Sequence, residues 1–402
     1  MLSRSGVPSV WSDSDRNLFS VETLVTQVWT CASMRIMHLL KHCAEGNGHV
    51  HVAVDLACAQ AAQGHEVALV SSGGFYDALL AARGVQVATI PETGGLRGTS
   101  RSIQALLRLS RPFQPDVLHA HMMSSAVLGF AVSKVIGAPL VTTMHNSFDK
   151  HSVLMRLGKV VVAVSEAERR LLLSRGYPSR KVVTVLNGAD GSPRESLRVD
   201  GIRPLAHPCV VTLSGLHKRK AVGDVIAAFS EVRPDFPDWH LNIIGDGPDR
   251  ERLQTTVEEL GLTDSVHLLG SAVAPRTLLE GAEIFASASL AEPFSLAVAE
   301  ARAAGCAIVA TAVGGVPEVL ENGRAGQLIP ASDPAAMAAA FRALMADPEA
   351  LATWRTRAQQ GVEYFTVQRM ASDYARVYES LPGRGRRRTN RRDPSLAGLP
   401  NR

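Results

Sequence analysis

The stretch ASASLAEPFSLAVAEARAAG, residues 286–305, combines the end of a buried strand, a short loop and a helix. The helix is predicted to begin near Pro293 or Phe294, because proline at the first helical position lacks only an amide proton that would be unpaired there. A strand followed directly by a helix is the unit of a parallel α/β sheet, where ligands lie outside the carboxyl ends of the strands. The stretch therefore predicts both the fold class and the sheet edge that would carry a site.

The same strand-helix unit recurs on both sides of this stretch. An amino-terminal series begins at MRIMHLLKHC and predicts further strands at residues 66–70, 85–90, 117–119, 140–143, 160–164 and 182–186. A second series runs through CVVTLSG, WHLNIIGDG, VHLLG, EIFASAS, AIVATAVGG and GQLIP. Between the two series, residues 188–208 have the Gly, Pro and isolated charges typical of a linker. Two doubly wound α/β domains facing each other across a cleft are therefore expected.

The predicted domain organisation follows from these boundaries. The first domain is expected to span residues 34–200 and the second 201–365, followed by a carboxyl-terminal helix at 366–381. Residues 1–33 show no sustained periodicity and are predicted to be a disordered extension, and residues 382–402 a disordered basic tail. A chain of 402 residues is about twice what one hydrophobic core usually organises, which agrees with two domains.

The composition excludes several classes of protein. With 46% apolar and 20% charged residues, the chain is neither disordered nor fibrous. Its five cysteines form no Cys-x-x-Cys pair, so neither a disulfide framework nor a thiolate zinc site is expected, and a reducing cytoplasm fits best. The most apolar stretch, residues 122–144, is interrupted by Lys134, Gly137 and Pro139, and no membrane-spanning helix is predicted.

The net charge of +4 is concentrated at one end of the chain. Residues 382–402 contain seven arginines and one aspartate, which leaves a net charge of −2 on the rest. A nucleic-acid-binding fold carries its basic residues across the domain, so no nucleic-acid partner is expected. The tail could contact anionic lipid, at about 1 kcal/mol per arginine, which would place the protein at the membrane periphery. A solvated end is the alternative that the charge pattern favours.

Two carboxylates flank the predicted helix start in the stretch 286–305. The amide groups of Phe294, Ser295 and Leu296 are expected to point into the cleft, and such a helix start binds anions and hydroxyl-rich ligands. Glu292, just before the helix, can accept hydrogen bonds from hydroxyl groups, and Glu300 could reach a ligand that lies along the helix. From spacing alone, the alternative that Glu292 caps the helix and Glu300 is a solvated charge remains open.

Basic residues and histidines follow other strands. Lys218, Arg219 and Lys220 come after the first strand of the second domain, where they could bind a diphosphate or form a solvated turn. His119 and His121 share one face of a strand end, because residues two apart in a strand point the same way. A metal site there is not expected, since no third ligand has suitable spacing in the sequence.

The run from Glu292 to Glu300, followed by ARAAGCAIVATAVGGVPEVLENGRAGQLI, resembles the signature of retaining glycosyltransferase family 4, which has two glutamates separated by seven residues. The GGxPE segment of that family is matched at residues 314–318. The resemblance continues through IIGDGPDRERL, SEAERRLLLSRG, VLNGAD, GNGHVHVAVDLA, GHEVALVSSGG, PDVLHAHMM and PLVTTMH. It covers residues 34–381 and implies the GT-B architecture, in which two Rossmann-like domains bind the acceptor and the nucleotide sugar.

The resemblance also implies the chemistry and the role of each site residue. The expected reaction is transfer of a hexose from a UDP- or GDP-sugar to an acceptor hydroxyl with retained configuration, with no cofactor and no obligatory metal. Glu292, His121 and Lys220 are the implied catalytic residues, Glu292 on the sugar hydroxyls, His121 near the acceptor and Lys220 on the diphosphate. Glu300 is implied to bind the ribose. The other implied donor-binding residues are Gly48, Lys218, Arg219, Gly245, Phe294, Ser295 and Leu296, while His145 and Ser165 match positions that line the cleft.

The sequence departs from the family pattern at several positions. Ser214 or Gly215 stands where the family commonly has an arginine, Pro293 replaces a usual glycine, and Ala221 follows Lys220. Asn47 also replaces a usual glycine. These departures keep two alternatives open: a nucleotide-sugar epimerase of the same architecture, and a non-catalytic descendant that binds a nucleotide sugar or a protein. The sugar, the nucleotide base, the acceptor and the oligomeric state stay open as well.

Overall fold

The computed structural model describes residues 33–91, 95–197 and 204–381. The predicted extension at residues 1–33, except Ser33, and the predicted basic tail at 382–402 lie outside the described residues. Within the described part of the chain, no helix combines the length and the apolar character that crossing a membrane requires.

The first sheet has seven parallel strands in the order β3-β2-β1-β4-β5-β6-β7. Its strands are β1 (Arg35–Leu39), β2 (Glu66–Ser71), β3 (Gln86–Thr89), β4 (Val117–Ala120), β5 (Leu140–Met144), β6 (Val160–Ala163) and β7 (Val182–Thr184). The helices of this domain are α1 (Gly48–Ala62), α2 (Asp77–Ala82), α3 (Gly95–Phe113), α4 (Met123–Ile136) and α5 (Glu166–Ser174).

The second sheet has six parallel strands in the order β10-β9-β8-β11-β12-β13. Its strands are β8 (Cys209–Leu213), β9 (His240–Ile244), β10 (Val266–Gly270), β11 (Ile284–Ser287), β12 (Ala307–Thr311) and β13 (Gln327–Ile329). The remaining helices are α6 (Val222–Val232), α7 (Arg250–Glu259), α8 (Arg276–Gly281), α9 (Leu296–Ala304), α10 (Val316–Val319), α11 (Pro334–Ala346), α12 (Pro348–Gln359) and α13 (Val367–Glu379).

These sheets confirm the predicted α/β fold of two Rossmann-like domains. The strands are short apolar runs covered by helices on both faces, which is what buried parallel strands require. In each sheet the strand order reverses at one point, between β1 and β4 in the first and between β8 and β11 in the second. A crevice forms outside the carboxyl ends of the strands at such a reversal, so the loops after these four strands are placed to form a site.

The last helix returns to the first domain. Val367, Met370 and Tyr374 of α13 are buried in one apolar cluster with residues of α1 and of strands β1, β4 and β6. The amphipathic spacing of α13 predicts a helix, but the domain on which it packs depends on the tertiary path of the chain. The carboxyl-terminal helix thus completes the core of the first domain.

The helix of the opening stretch begins later than predicted. Helix α9 starts at Leu296, so Pro293 is not at its first position, and Ser295 before it has a left-handed φ of 77°. The backbone of the preceding residues is already bonded elsewhere: the Glu292 carbonyl accepts from the Gly315 amide at 2.9 Å, and the Pro293 carbonyl accepts from Ser165 Oγ at 2.5 Å. These tertiary bonds hold residues 292–294 outside the helix, which spacing along the chain did not reveal.

Candidate active site

A cavity of about 520 Å³ lies between the two domains at the carboxyl ends of their strands. We call it the cleft cavity. Its volume lies within the range of roughly 300–1,000 Å³ that small-molecule sites occupy. Nine of the predicted site residues line it, namely Gly48, Arg219, Lys220, Gly245, Glu292, Phe294, Ser295, Leu296 and Glu300. The structure therefore brings together residues from the loops after β1, β8, β9 and β11.

Glu292 forms an ion pair with Lys220 on the wall of the cleft cavity. Lys220 Nζ lies 2.5 Å from Glu292 Oε2, and Ser289 Oγ donates to the same oxygen at 3.3 Å. No hydrogen bond reaches the other oxygen, Oε1, from any described residue. The Glu292 and Lys220 side chains are only 10% and 17% exposed, so the ion pair is desolvated more than a surface pair. One carboxylate oxygen is thus fixed and the other is available to a ligand.

Of the three predicted basic residues, Arg219 and Lys220 line the cleft cavity and Lys218 does not. Arg219 lines the cavity, donates to the Ala291 carbonyl at 2.6 Å and lies 5.0 Å over the Phe148 ring of the first domain. Lys218 is exposed and is not among the cavity-lining residues, so the structure does not bring it to the site. Arg219 therefore reaches the cleft cavity and contacts both domains, whereas Lys218 does neither.

Glu300 belongs to a buried ion triad that the sequence did not reveal. Arg194, in the segment between the domains, donates to Glu300 Oε1 at 3.1 Å and to both oxygens of Asp55 on α1 at 3.0 to 3.2 Å. Arg194 and Asp55 are essentially inaccessible, at 2% and 0% exposure. We call Asp55, Arg194 and Glu300 the buried triad. It joins the first domain, the connecting segment and the second domain.

The buried triad contains two carboxylates and one guanidinium. Burial lowers the pKa of Arg194, but the Asp55 and Glu300 carboxylates more than compensate and raise it, so Arg194 stays charged. Burial raises the pKa of Glu300, and Arg194 opposes that shift. Within the described part of the chain, Glu300 Oε2 has no hydrogen-bond partner. Like Glu292, Glu300 is held through one oxygen and offers the other to the cavity.

The GGxPE segment connects the domains. A side chain added at Gly314 would place Cβ 1.8 Å from the Glu292 carbonyl oxygen, and one at Gly315 would meet the Pro293 carbonyl at 2.4 Å. The Glu318 carboxylate accepts from the Glu166 and Ala167 amides at the start of α5, at 2.7 and 2.6 Å. These glycines therefore allow a close approach that fixes Glu292, and Glu318 anchors the same segment to the first domain.

The backbone fold requires a glycine at position 245 but not at position 48. Gly245 has a φ of 141°, and an added Cβ would lie 1.8 Å from the Ser214 carbonyl oxygen, so the fold itself requires glycine there. An added Cβ at Gly48 would meet no atom within 4 Å. The fold does not need a glycine at position 48, and the open space beside it belongs to the cleft cavity.

His121 does not line the cavity, contrary to its expected place near the acceptor. It is 2% exposed and lies behind His145, whose Nε2 is 3.1 Å from His121 Nδ1. His121 Nε2 lies 3.0 Å from His38 Nδ1, because β1 and β4 pair with His38 opposite His119. His38 is therefore a third histidine beside His119 and His121, although its spacing along the sequence did not indicate it. The 3.0 Å between His38 Nδ1 and His121 Nε2 is the length of a hydrogen bond between the two rings.

Three other histidines line the cavity, of which the family resemblance placed only His145 at the cleft. His49 and His51, on the first turn of α1, and His145, after β5, all face it. His49 Nε2 and His51 Nε2 are buried and have no hydrogen-bond partner among the described residues. Burial lowers the pKa of His49 and of His51, so both are neutral near pH 7. Their position follows from the path of the chain around β1, which residue spacing alone did not indicate.

The residue after Lys220 stores backbone strain. Ala221 has a left-handed φ of 47°, a region that costs a non-glycine residue roughly 1–2 kcal/mol. We expect Ala221→Gly to raise the free energy of unfolding by about 1 kcal/mol, since relief of this strain exceeds the added entropy of the unfolded chain. Urea denaturation of both proteins would measure the change.

The matched control is the same replacement on the exposed face of the following helix. Ala227 is exposed within α6, where glycine is expected to lower the free energy of unfolding by about 1 kcal/mol. Opposite signs for the two variants would confirm strain at Ala221. A loss of stability in both would show that the left-handed backbone costs less than the entropy of glycine.

Comparison with known proteins identifies relatives across both domains. The family model described as "Glycosyl transferases group 1" matches residues 194–361, and the one described as "Glycosyltransferase Family 4" matches residues 46–192. The chain is 30% identical over 335 residues to glycogen synthase of Mycobacterium tuberculosis, a match that covers 75% of this chain and 78% of that protein.

Two further relatives extend this similarity. The N-acetyl-alpha-D-glucosaminyl L-malate synthase of Bacillus anthracis is 28% identical over 284 residues, which cover 65% of this chain and 74% of the synthase. The crystal structure of Anabaena HepE in complex with UDP and glucose superposes with a TM-score of 0.74 at 22% identity, covering 87% of this chain and 100% of HepE. The HepE structure supports the GT-B fold.

Proposed function

Because the chain belongs to the group 1 glycosyltransferases, we propose that it transfers a hexose from a UDP- or GDP-sugar to an acceptor hydroxyl with retained anomeric configuration. Two of the proteins to which it is similar are named as synthases of carbohydrate-containing products, glycogen and N-acetyl-alpha-D-glucosaminyl L-malate. The acceptor enters from the first domain, and the nucleotide sugar lies against the second.

The arrangement of the two glutamates supports this proposal most directly. Glu292 and Glu300 both line the cleft cavity, and each is held by a cation through a single oxygen, Lys220 for Glu292 and Arg194 for Glu300. The free oxygens can accept hydrogen bonds from hydroxyl groups. Glu292 then holds the hydroxyls of the donor sugar, and Glu300 those of the ribose. A ligand with hydroxyls at both ends and a diphosphate between them matches this arrangement.

The bond changes follow from this placement. The acceptor oxygen forms a bond to the anomeric carbon on the face from which the diphosphate departs, and the bond between that carbon and the phosphate oxygen breaks. The acceptor proton passes to the departing phosphate oxygen. Both cavity glutamates are already paired with cations, which favours this same-face attack over a covalent sugar-enzyme intermediate.

Fixed positive charge replaces a divalent cation in this proposal. Arg219 and Lys220 lie beside Glu292 on the cavity wall, and helix α9 begins at Leu296 with no side chain capping its first turn among the described residues. Cations and helix amides that are already oriented stabilise the charge that develops on the leaving diphosphate. Activity is therefore expected to survive treatment with a chelator.

The first test is a panel of nucleotide sugars at saturating concentration. A ligand at 100 times its Kd stabilises the folded protein by about 2.7 kcal/mol, which appears as a higher Tm. We expect one UDP- or GDP-sugar to raise the Tm, and NMR of the product formed with an acceptor to show the donor's anomeric configuration. If no nucleotide sugar raises the Tm, or if the sugar is inverted at a ring carbon without any acceptor, the proposal is wrong.

The Gly48→Ala variant tests whether the nucleotide sugar that raises the Tm binds in the cleft cavity. An added Cβ at Gly48 meets no protein atom within 4 Å, so the ligand-free protein should keep its Tm. The extra methyl group would occupy space that the donor phosphate needs, and the Tm increase with nucleotide sugar should shrink. Gly223→Ala is the matched control, because Gly223 also has room for Cβ but does not line the cavity.

A further inference from the structure

Three potential metal ligands meet at the amino-terminal edge of the second sheet. Cys209 is the first residue of β8, Glu283 immediately precedes β11, and His207 is two residues before Cys209. One ligand atom of each residue lies within 4.8 Å of the other two. We call these three residues the edge group. None of them lines the cleft cavity, which lies at the opposite, carboxyl-terminal edge of the sheets.

The pairing of two strands brings the edge group together. Strands β8 and β11 are parallel, with Val210 opposite Ile284, so Cys209 and Glu283, one residue earlier on each strand, are neighbours. The Cys209 amide donates to Glu283 Oε2 at 2.7 Å, although the two residues are 74 positions apart in the chain. The sequence predicts no thiolate zinc site because it lacks a Cys-x-x-Cys pair, and spacing along the chain cannot reveal a carboxylate that strand pairing supplies.

The distances within the edge group match the coordination shell of zinc. His207 Nδ1 lies 3.8 Å from Cys209 Sγ and 3.3 Å from Glu283 Oε2. Ligand atoms that bind zinc at about 2.0–2.3 Å in a tetrahedron stand roughly 3.3–3.8 Å from one another. Two of the three ligand pairs therefore already have the spacing that a tetrahedral metal ion requires.

The chemistry of the donor atoms favours zinc over a harder cation. Thiolate and imidazole are ligands for Zn²⁺, whereas Mg²⁺ and Ca²⁺ prefer oxygen. Burial and the nearby Glu283 carboxylate raise the pKa of Cys209 to about 12, so the metal-free thiol is protonated, and its proton passes to solvent as the sulfur binds the metal. The thiolate and the carboxylate, with a neutral imidazole, then balance the double positive charge of the ion.

The edge group is accessible from one side. The His207 side chain is 44% exposed and that of Glu283 is 24% exposed, while Cys209 is inaccessible. An ion can therefore enter past His207, and a water molecule can take the fourth coordination position. We propose that the edge group binds one Zn²⁺ ion, which fixes the segment before β8 to the first residues of β8 and β11. This inference is independent of the proposed function, because the cleft cavity lies at the other edge of the sheets.

A second group of potential ligands among the described residues suits a metal less well. His38, His119 and His121 also lie within 4.8 Å of one another, but all three are buried in the first domain, at 2% exposure or less. Both ring nitrogens of each histidine already lie within hydrogen-bond distance of another side chain. These histidines contain no thiolate, so an ion bound to them is distinguishable from one bound to the edge group.

Titration of the full-length protein with Co²⁺ tests the proposal. Cobalt takes the place of zinc in such sites, and its absorption spectrum reports its ligands. After dialysis against a chelator, we expect saturation at one ion per chain, a thiolate-to-cobalt charge-transfer band in the near ultraviolet and the visible bands of tetrahedral Co²⁺, all removed by added Zn²⁺. Absence of the charge-transfer band would overturn the proposal. Visible bands without it would place the ion on imidazoles alone and would overturn the proposal as well.

Variants then assign the bands to the edge group. Cys209→Ala should abolish the charge-transfer band, and His207→Gln, at an exposed position where folding is not at risk, should weaken Co²⁺ binding by more than about tenfold. Cys306→Ala is the matched control, because Cys306 is equally buried and directly precedes β12, but its thiol donates to the Leu279 carbonyl at 3.1 Å. The control should keep both the band and the affinity. Binding that survives His207→Gln unchanged, or a band lost equally in both cysteine variants, would refute the assignment.

Thermal unfolding tests the structural role of the ion. An ion that binds only the folded protein stabilises it, so Zn²⁺ should raise the Tm of the wild-type protein and leave that of His207→Gln nearly unchanged. Equal Tm increases in the two proteins would show that zinc acts elsewhere, and no increase in the wild type would rule out the structural role. The cobalt bands do not depend on nucleotide sugar, so they can confirm the edge group even if the proposed function fails.

Discussion

Lys220→Ala is expected to lower kcat about a thousandfold while the protein stays folded. Lys220 Nζ is the cation closest to Glu292, at 2.5 Å, on the wall where we place the leaving diphosphate. Removing one oriented contact to developing charge commonly raises the barrier by roughly 3–4 kcal/mol. Steady-state release of nucleoside diphosphate would measure kcat, and circular dichroism would establish that the variant is folded.

Lys218→Ala is the matched control for this prediction. Lys218 precedes Lys220 by two residues and is exposed outside the cleft cavity, so its loss should leave kcat within about twofold. Glu292→Gln should have an effect similar to Lys220→Ala. The double variant should be little worse than either single one, because residues that act as a unit are not additive. A wild-type kcat in Lys220→Ala, or equal losses in Lys218→Ala and Lys220→Ala, would contradict our assignment.

The fold could be predicted from the sequence because its signal is local. A parallel strand buried on both faces tends to be a continuous apolar run. Each of the thirteen strands found among the described residues overlaps a stretch that the sequence predicts as a strand. Helix α9 shows where local reasoning fails. Pro293 marks a helix start only when nothing else binds its backbone, and here its carbonyl is bonded to Ser165 of the first domain.

The part of the site that lies in short local motifs could also be predicted from the sequence. Glu292, Glu300 and Lys220 are recognised from short motifs, and the structure places all three at the cleft cavity. Arg194 bonds to Asp55, 139 residues away, and to Glu300, 106 residues away, so no spacing rule connects them. Likewise, His38 meets His121 only because β1 pairs with β4. Short motifs indicate which residues line the site. The residues that orient them are brought into contact by the tertiary path of the chain.

The largest effect on stability is expected at the buried triad. Arg194→Leu should lower the free energy of unfolding by about 3–5 kcal/mol, because it leaves the Asp55 and Glu300 carboxylates buried without their cation. The pKa of Glu300 is already raised by burial, so loss of Arg194 should favour its neutral form further. Guanidinium chloride denaturation at pH 7 would measure the change.

Arg276→Leu is the matched control, since Arg276 also bonds to an aspartate, Asp190 at 2.8 Å, but is 25% exposed. It should cost about 1 kcal/mol or less. If Arg194→Leu costs no more than that, the triad is not the desolvated network that its burial indicates.

A double variant separates the stability of the triad from its role at the site. In Asp55→Leu combined with Arg194→Leu, one carboxylate and the cation are removed together, so much of the lost stability should return, as happens when buried ion pairs are replaced by apolar residues. Glu300 would still lack the guanidinium that holds its Oε1 at 3.1 Å. Its free oxygen would no longer be directed at the ribose, and the Kd for the nucleotide sugar should rise about tenfold. A stable double variant with wild-type Kd would show that Glu300 needs no orientation by Arg194, whereas a stable variant with weakened binding would assign Arg194 to positioning the donor.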